Sequence, residues 1–305
     1  MNKPRSLTSE RRTELARQAL RAAIRLRMQL DVPPAAALCV FDAAEKLEVE
    51  LRFVDVPSME GMYVKNSEPD LRPIILVSAL RPAGRQATTA AHELGHHIFG
   101  HGTRIDQYVA DSDENSAPPS GNEEEVLANA FAGFLLMPKA AVEHGFKVRG
   151  YVPASATPQQ IYAVAGWLGV GYGTLIHHMR ISLDLLSEQK TKALLSIPPK
   201  RIRQELFGAA LSTDCFIVDE AWLGRSVDLQ LGDVALLKDH VAIEGDCLAL
   251  NGKTPDGHHI VKALTTGIGR IIGPSWAVFA RVRPREFVGR SIFRHLETTD
   301  DDSDS

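Results

Sequence analysis

Thr89-Ala90-Ala91-His92-Glu93-Leu94-Gly95-His96-His97 puts two imidazoles four residues apart, with a carboxylate directly after the first. On a helix, positions i and i+4 share a face one turn apart, so His92 and His96 can reach one Zn²⁺ while Glu93 holds the attacking water. The stretch reads as the catalytic helix of a zinc-dependent metallopeptidase. Five such residues also occur in ordinary buried helices, but the flanks favour the site. Pro73-Ile74-Ile75-Leu76-Val77 predicts a buried strand. Zinc peptidases need a strand there, because an extended substrate can pair with its edge. Arg81 to Arg85 predicts a turn, Gln86 to Phe99 a helix with apolar Ala90, Leu94, Ile98 and Phe99, and Gly100 and Gly102 its end.

A catalytic zinc takes three protein ligands and keeps its fourth position for water. A third histidine on the same segment would require Gly at 99 and His at 102, where the chain has Phe99 and Gly102; His101 is out of register. Glu125 is the better candidate. From Glu125 to Leu136 the chain reads as a second helix with Ala128, Phe131, Ala132 and Leu135 on its inner face and Pro138 closing it. Asn129, one turn below Glu125, is a candidate partner for a histidine ligand.

His-Glu-Leu-Gly-His followed by Glu125-x-x-Ala128-Asn129-x-Phe131-Ala132-x-x-Leu135-Leu136-Met137-Pro138 resembles the ImmA/IrrE (PprI) metallopeptidases of bacteria and their mobile elements. The resemblance runs from about Glu45 to Leu186. It implies that His92, His96 and Glu125 bind one Zn²⁺ and that Glu93 is the general base. It also implies a protein substrate, typically a helix-turn-helix repressor encoded nearby and cut to release transcription. His101, Asp106 and Glu124 are the alternatives to Glu125 as third ligand.

A chain of 305 residues is long enough for two domains, and 44% hydrophobic with 24% charged residues describes a soluble globular protein. The three cysteines, Cys39, Cys215 and Cys247, lack metal-ligand spacing and read as buried thiols of a reducing compartment. No apolar run has membrane length and the first residues lack a signal-peptide core, so the expected location is the cytoplasm. The net charge of −4 is unevenly spread. An amphipathic helix within residues 1–30 buries Leu15, Ala19, Leu26 and Leu30 and displays Arg17, Arg21 and Arg25, a solvated face or a contact for nucleic acid. Asp106 to Glu125 is acidic, without Lys or Arg, and reads as a mobile loop near the metal.

The expected fold class is α+β. Residues 1–150 form a zincin-like metallopeptidase domain with the basic N-terminal helix, including a helix from Pro34 to Leu47 and strands at Val49 to Phe53, Met62 to Val64 and Ile74 to Val77. Residues 151–195 are a helical segment with helix-turn-helix punctuation, Pro158 to Leu168 and Tyr172 to Leu186. Its second helix opens on Tyr172, Gly173 and Thr174 rather than base-reading side chains, so a packing role is expected. Tyr172, His177 and His178 are candidates to stabilise the oxyanion. Residues 196–297 alternate short β-rich runs with turn residues and predict a small barrel or sandwich, a sensor or regulatory domain. Within it, Arg281, Arg283, Arg285, Arg290 and Arg294 suggest an anion or nucleic-acid contact. Residues 298–305 form an acidic, disordered tail.

These readings combine into a zinc endopeptidase that cleaves a regulatory protein to derepress a stress, damage or phage-response operon, with antiviral defence included. Its β-rich domain would gate cleavage by binding single-stranded nucleic acid. The competing class is a regulator of nucleic acid or a protein partner whose zinc site is structural or idle. An open coordination position separates the first from the second.

Overall fold

The computed structural model of the chain describes residues 7–66, 68, 70–107 and 122–296. The acidic stretch at 108–121, the tail at 298–305 and the basic residues Lys3 and Arg5 lie outside them. The first half is mixed: α1 (Ser9–Gln29), α2 (Val40–Lys46), β1 (Glu50–Val54), β2 (Met59–Val64), β3 (Ile74–Ser78), α3 (Ala83–Ile98), β4 (Arg104–Gln107), α4 (Glu123–Leu136) and α5 (Lys139–Lys147). Helices α6 (Pro158–Leu168), α7 (Tyr172–Ile181), α8 (Glu188–Leu195) and α9 (Pro199–Phe207) follow. The remainder is β-rich: β5 (Cys215–Ile217), β6 (Val227–Gln230), β7 (Val234–Leu237), β8 (Ala242–Glu244), β9 (Leu248–Lys253), β10 (His259–Ala263), β11 (Gly267–Ile272), β12 (Ala277–Arg283) and β13 (Gly289–Arg290).

Helix α3, which carries His92, Glu93 and His96, lies against a five-stranded sheet of order β13-β1-β3-β2-β4, in which β1 and β3 are parallel and the other pairs antiparallel. On its other side α3 packs on α4, and α1 packs on α4 in turn through Leu15, Ala19, Ala22, Ala23 and Leu26. Arg17, Arg21 and Arg25 are exposed on α1, whereas Arg27 is buried and donates to the carbonyls of Leu135, Pro33 and Ala36. The helix expected from Pro34 therefore starts only at Val40. The carbonyls of Pro33 and Ala36 accept from the Arg27 guanidinium, and Pro33 closes only a single turn with the Ala36 N–H.

α6 begins at a capping box, Thr157 accepting from the Gln160 N–H and Gln160 from the Thr157 N–H, with Pro158 at the first position. It ends at Gly169 in the left-handed region (φ 75°). The second helix of the pair is shorter than its apolar pattern suggests, because the chain turns after Ile181 and Asp184 takes a positive φ. The α6–α7 turn meets the start of α3 at glycines: a Cβ on Gly84 would lie 2.7 Å from the Gly171 nitrogen.

The β-rich region starts later than the sequence texture suggests, since residues 199–207 are the helix α9. It forms two four-stranded sheets, β5-β7-β10-β9 and β6-β12-β11-β8. β11 carries two glycines, Gly267 and Gly269. Gly269 is required by packing, since a Cβ there would lie 2.7 Å from the Glu244 carbonyl on the neighbouring strand.

The end of this region returns to the catalytic sheet. β13 pairs with β1, with Arg290 opposite Arg52. Arg283 is buried, donates to Gln86 of α3 and stacks over Phe53. Arg281 binds Asp228 and Asp42, and Arg294 binds Asp42. Arg285 binds Asp233 and Arg290 binds Glu50. The five arginines expected to meet nucleic acid are thus each engaged by carboxylates or by Gln86 and Phe53, with Arg285 still exposed at the surface. A truncation near Leu195 would strip β13 from β1 and Arg281 and Arg294 from Asp42, so it does not isolate a peptidase unit.

Residues 123–147, spanning α4 and α5, are long and apolar enough to cross a membrane by length and composition alone. Half of the most apolar window is buried in the fold and the stretch carries Glu125, which is how a core helix behaves.

Candidate metal centre

Two glycines set how closely α3 can approach its neighbours. Gly95 faces α4, where an added Cβ would lie 3.1 Å from the Ala128 Cα and 3.2 Å from the Phe131 ring. Gly61 of β2 lies under Glu93, where a Cβ would stand 2.5 Å from Thr89 Cγ2 and 2.6 Å from Glu93 Oε1. The sheet thus touches the Glu93 carboxylate through a residue with no side chain.

The convergence follows from these approaches. His92 Nε2 lies 3.0 Å from His96 Nε2 and 3.2 Å from Glu125 Oε2, and His96 Nε2 lies 3.6 Å from Glu125 Oε1. Ligand bonds of about 2.0–2.2 Å in a tetrahedron space the donor atoms by roughly 3.3–3.5 Å, so the three residues fit one zinc-sized cation. The electrostatics agree, because the site attracts positive charge. Hydrogen bonds to His92 and His96 hold the Glu125 carboxyl far below the usual carboxylate range. Burial opposes charge on His92, but Asp106 and Glu125 outweigh it and raise its pKa to about 10.

Glu93 is fully buried, and neither carboxylate oxygen has a well-formed hydrogen bond, the Tyr63 backbone giving it only weak support. Burial pushes its pKa up to about 8, with the nearby charge of His92 opposing and that of Asp106 adding.

Asp106 belongs to this site. β4 pairs with β2 so that Asp106 stands beside Gly61, which places its Oδ2 3.2 Å from His92 Nε2, grouped with Glu93 rather than with His96 and Glu125. His101 is also engaged, as a partner rather than a ligand. Its Nδ1 lies 2.8 Å from His96 Nδ1, leaving His96 Nε2 aimed at Glu125. Glu124 turns away to Arg104, and Arg11 takes Glu123.

The structure leaves other expected residues outside the cluster. Asn129 is exposed and donates to the Glu125 main-chain carbonyl, because it lies one turn further along α4 on the solvent side. It is not a partner of either histidine. Tyr172 donates to the Leu194 carbonyl, and His178 Nε2 donates to the Met137 carbonyl with its ring against Gly133. Those contacts hold both in the packing of α7, not at an oxyanion. His177, half-buried on α7 with an unpartnered Nε2, is not grouped with His92, His96 or Glu93.

Replacing a ligand and replacing its partner should differ in degree. Glu125→Ala is expected to abolish stoichiometric zinc binding, whereas His101→Ala should weaken affinity by about 10- to 100-fold and leave a site that fills at higher zinc. Titration with a competing chelator measures both. Loss of metal in His101→Ala with retention in Glu125→Ala would reverse the roles.

Paired helices thus bring His92, Glu93, His96 and Glu125 together on a mixed α+β scaffold. Residues 44–178 match the family model of peptidase M78, described as the IrrE N-terminal-like domain. No curated protein matches the chain. Among solved structures it is similar to a Mycobacterium tuberculosis transcriptional regulator, at 15% identity and a TM-score of 0.32 over 53% of this chain. The match spans 46% of that regulator's length.

Proposed function

We propose that this protein is a cytoplasmic zinc endopeptidase with a zincin-like core, cleaving a regulatory protein, a helix-turn-helix repressor encoded nearby, within a stress, damage or phage response. The observation that carries this reading is Glu93. A buried carboxylate without a good hydrogen bond, beside three donor atoms spaced for one cation, is costly to keep and has no use in a purely structural metal site.

His92, His96 and Glu125 would hold the metal, which when bound supplies a Lewis acid for the scissile carbonyl and lowers the pKa of water. Glu93 takes the proton of the attacking water on its carboxylate and returns it to the leaving amide nitrogen. Gly61 leaves room for this carboxylate, and His101 fixes the His96 ring. Single-stranded nucleic acid is the proposed activator, with the exposed Arg17, Arg21 and Arg25 of α1 as the available cations and the β-rich region as the proposed gate.

Asp106 supports a second reading. A carboxylate 3.2 Å from His92 Nε2 stands near enough to close the metal's open position, making the chain a regulator with an idle site. X-ray absorption of the zinc-loaded chain separates the two through the presence or absence of a fourth protein ligand. The direct test of the first is incubation of the zinc-loaded full chain with the repressor encoded beside its gene. One or two discrete, chelator-sensitive cuts are expected; an intact repressor, with and without single-stranded DNA, refutes the proposed substrate.

A further inference from the structure

A second feature lies away from the metal centre, at the seam where the α1–α2 connection and α2 meet the segment entering β6. A cavity of about 210 Å³ opens there. Leu30, Val32 and Leu38 line it together with Lys46 and Arg225, and the ion-paired Asp42 and Arg281 also open onto it. The volume is below the roughly 300–1,000 Å³ of pockets for drug-sized ligands, so any occupant is small.

The charges around it do not balance. Asp228 is taken by both forks of Arg281, at 2.6 and 2.8 Å, and Asp42 is shared by Arg281 at 2.9 Å and Arg294 at 2.8 Å. Of the three cations that line the cavity Arg281 is paired in this way, whereas Arg225 and Lys46 are not. Among the described residues Arg225 has no carboxylate within ion-pair distance, and Lys46 at the rim makes no ion pair with any of them. The Arg225 guanidinium donates to the Trp167 carbonyl at the end of α6 and lies over the Trp222 ring, and its Nε is buried without a partner. Burial pulls its pKa down, which the nearby Cys39 and Asp228 only partly oppose. The helix end supplies a fraction of a negative charge, not a counter-ion. Three arginines and a lysine thus stand against two aspartates, and a buried guanidinium without its anion is an unfavourable arrangement.

We propose that this cavity is a binding site for a short aliphatic carboxylate, its oxygens on Arg225 and Lys46 and its chain against Leu30, Val32 and Leu38. With one N–H given to the Trp167 carbonyl, the Arg225 guanidinium keeps further donors for a planar carboxylate. Cys39 also lines the cavity, but burial raises its thiol to about 11, so the site holds its ligand without covalent chemistry. The inference is independent of the peptidase reading, since none of its residues touches the metal centre.

The test is calorimetric and thermal-shift titration of the full chain with sodium butyrate, against sodium chloride at matched ionic strength, with inorganic phosphate and n-butanol as parallel arms. Butyrate is expected to bind saturably and raise the melting temperature, with butanol inert and phosphate at least tenfold weaker. Lys46→Ala, at an exposed position that does not threaten folding, should weaken butyrate about tenfold, the order expected for one charge-assisted hydrogen bond. Arg225→Lys should weaken it further while keeping the charge. No saturable butyrate binding, equal binding of phosphate, or Lys46→Ala indistinguishable from the parent chain would each overturn the proposal.

Discussion

Glu93→Gln is expected to lower cleavage by about 10² to 10⁴ while leaving zinc content and fold intact. The amide keeps the shape of the carboxylate, so the contacts of α3 with β2 survive. It lacks the basic oxygen that takes a proton from water. Because Glu93 is buried without good hydrogen bonds, the neutral amide also relieves a desolvation cost, and the melting temperature should be no lower than that of the parent chain. The decisive comparison is cleavage rate per bound zinc, with occupancy measured by elemental analysis. A Glu93→Gln chain that cuts as fast as the parent would falsify the assignment of the base, whatever the metal does.

Gly61→Ala should reach a similar loss by a different route. Its methyl group would arrive 2.6 Å from Glu93 Oε1 and 2.5 Å from Thr89 Cγ2, so the Glu93 carboxylate and the Thr89 methyl must give way. Overpacking of this kind costs about 1–3 kcal/mol of stability, and displacing a catalytic group by about 1 Å can cost on the order of 10²-fold in rate. His92, His96 and Glu125 are untouched, so zinc should stay bound. The informative pattern is normal zinc, modest destabilisation and a turnover deficit near that of Glu93→Gln. Full activity in Gly61→Ala would mean that the carboxylate works from a position other than the one seen beneath β2.

Local rules decide which parts of this molecule are legible from its sequence. His92, His96 and Glu125 can be brought together on paper because each sits on a helix whose period is fixed and whose inner face is marked by alanine, leucine and phenylalanine. The α6 helix reads equally well, bounded by Thr157 and Pro158 at one end and Gly169 at the other. Asp106 is different. β4 has four residues, alternates Arg104 and Asp106 with an exposed Ile105, and owes its place to pairing with β2 across the whole of α3. Nothing in its own composition marks a strand. The five arginines near the end of the β-rich region misled for a related reason: an arginine shows its charge in the sequence, while its partner is a matter of tertiary structure. Asp42 lies 252 residues from Arg294. Asn129 failed on helix geometry, since one further turn carried it toward solvent and back to its own main chain.

The pairing of β13 with β1 also sets an order of events during synthesis. The ribosome delivers β1, the catalytic helix and all three donor residues early, but the sheet that supports them keeps a bare edge at β1 until residue 290 has been translated. An unpaired edge is a template for association with other strands, and contacts this distant in sequence form slowly. Nascent or prematurely terminated chains therefore carry the peptidase segment without its closing strand, and the fold is completed only when almost the entire described chain has been made.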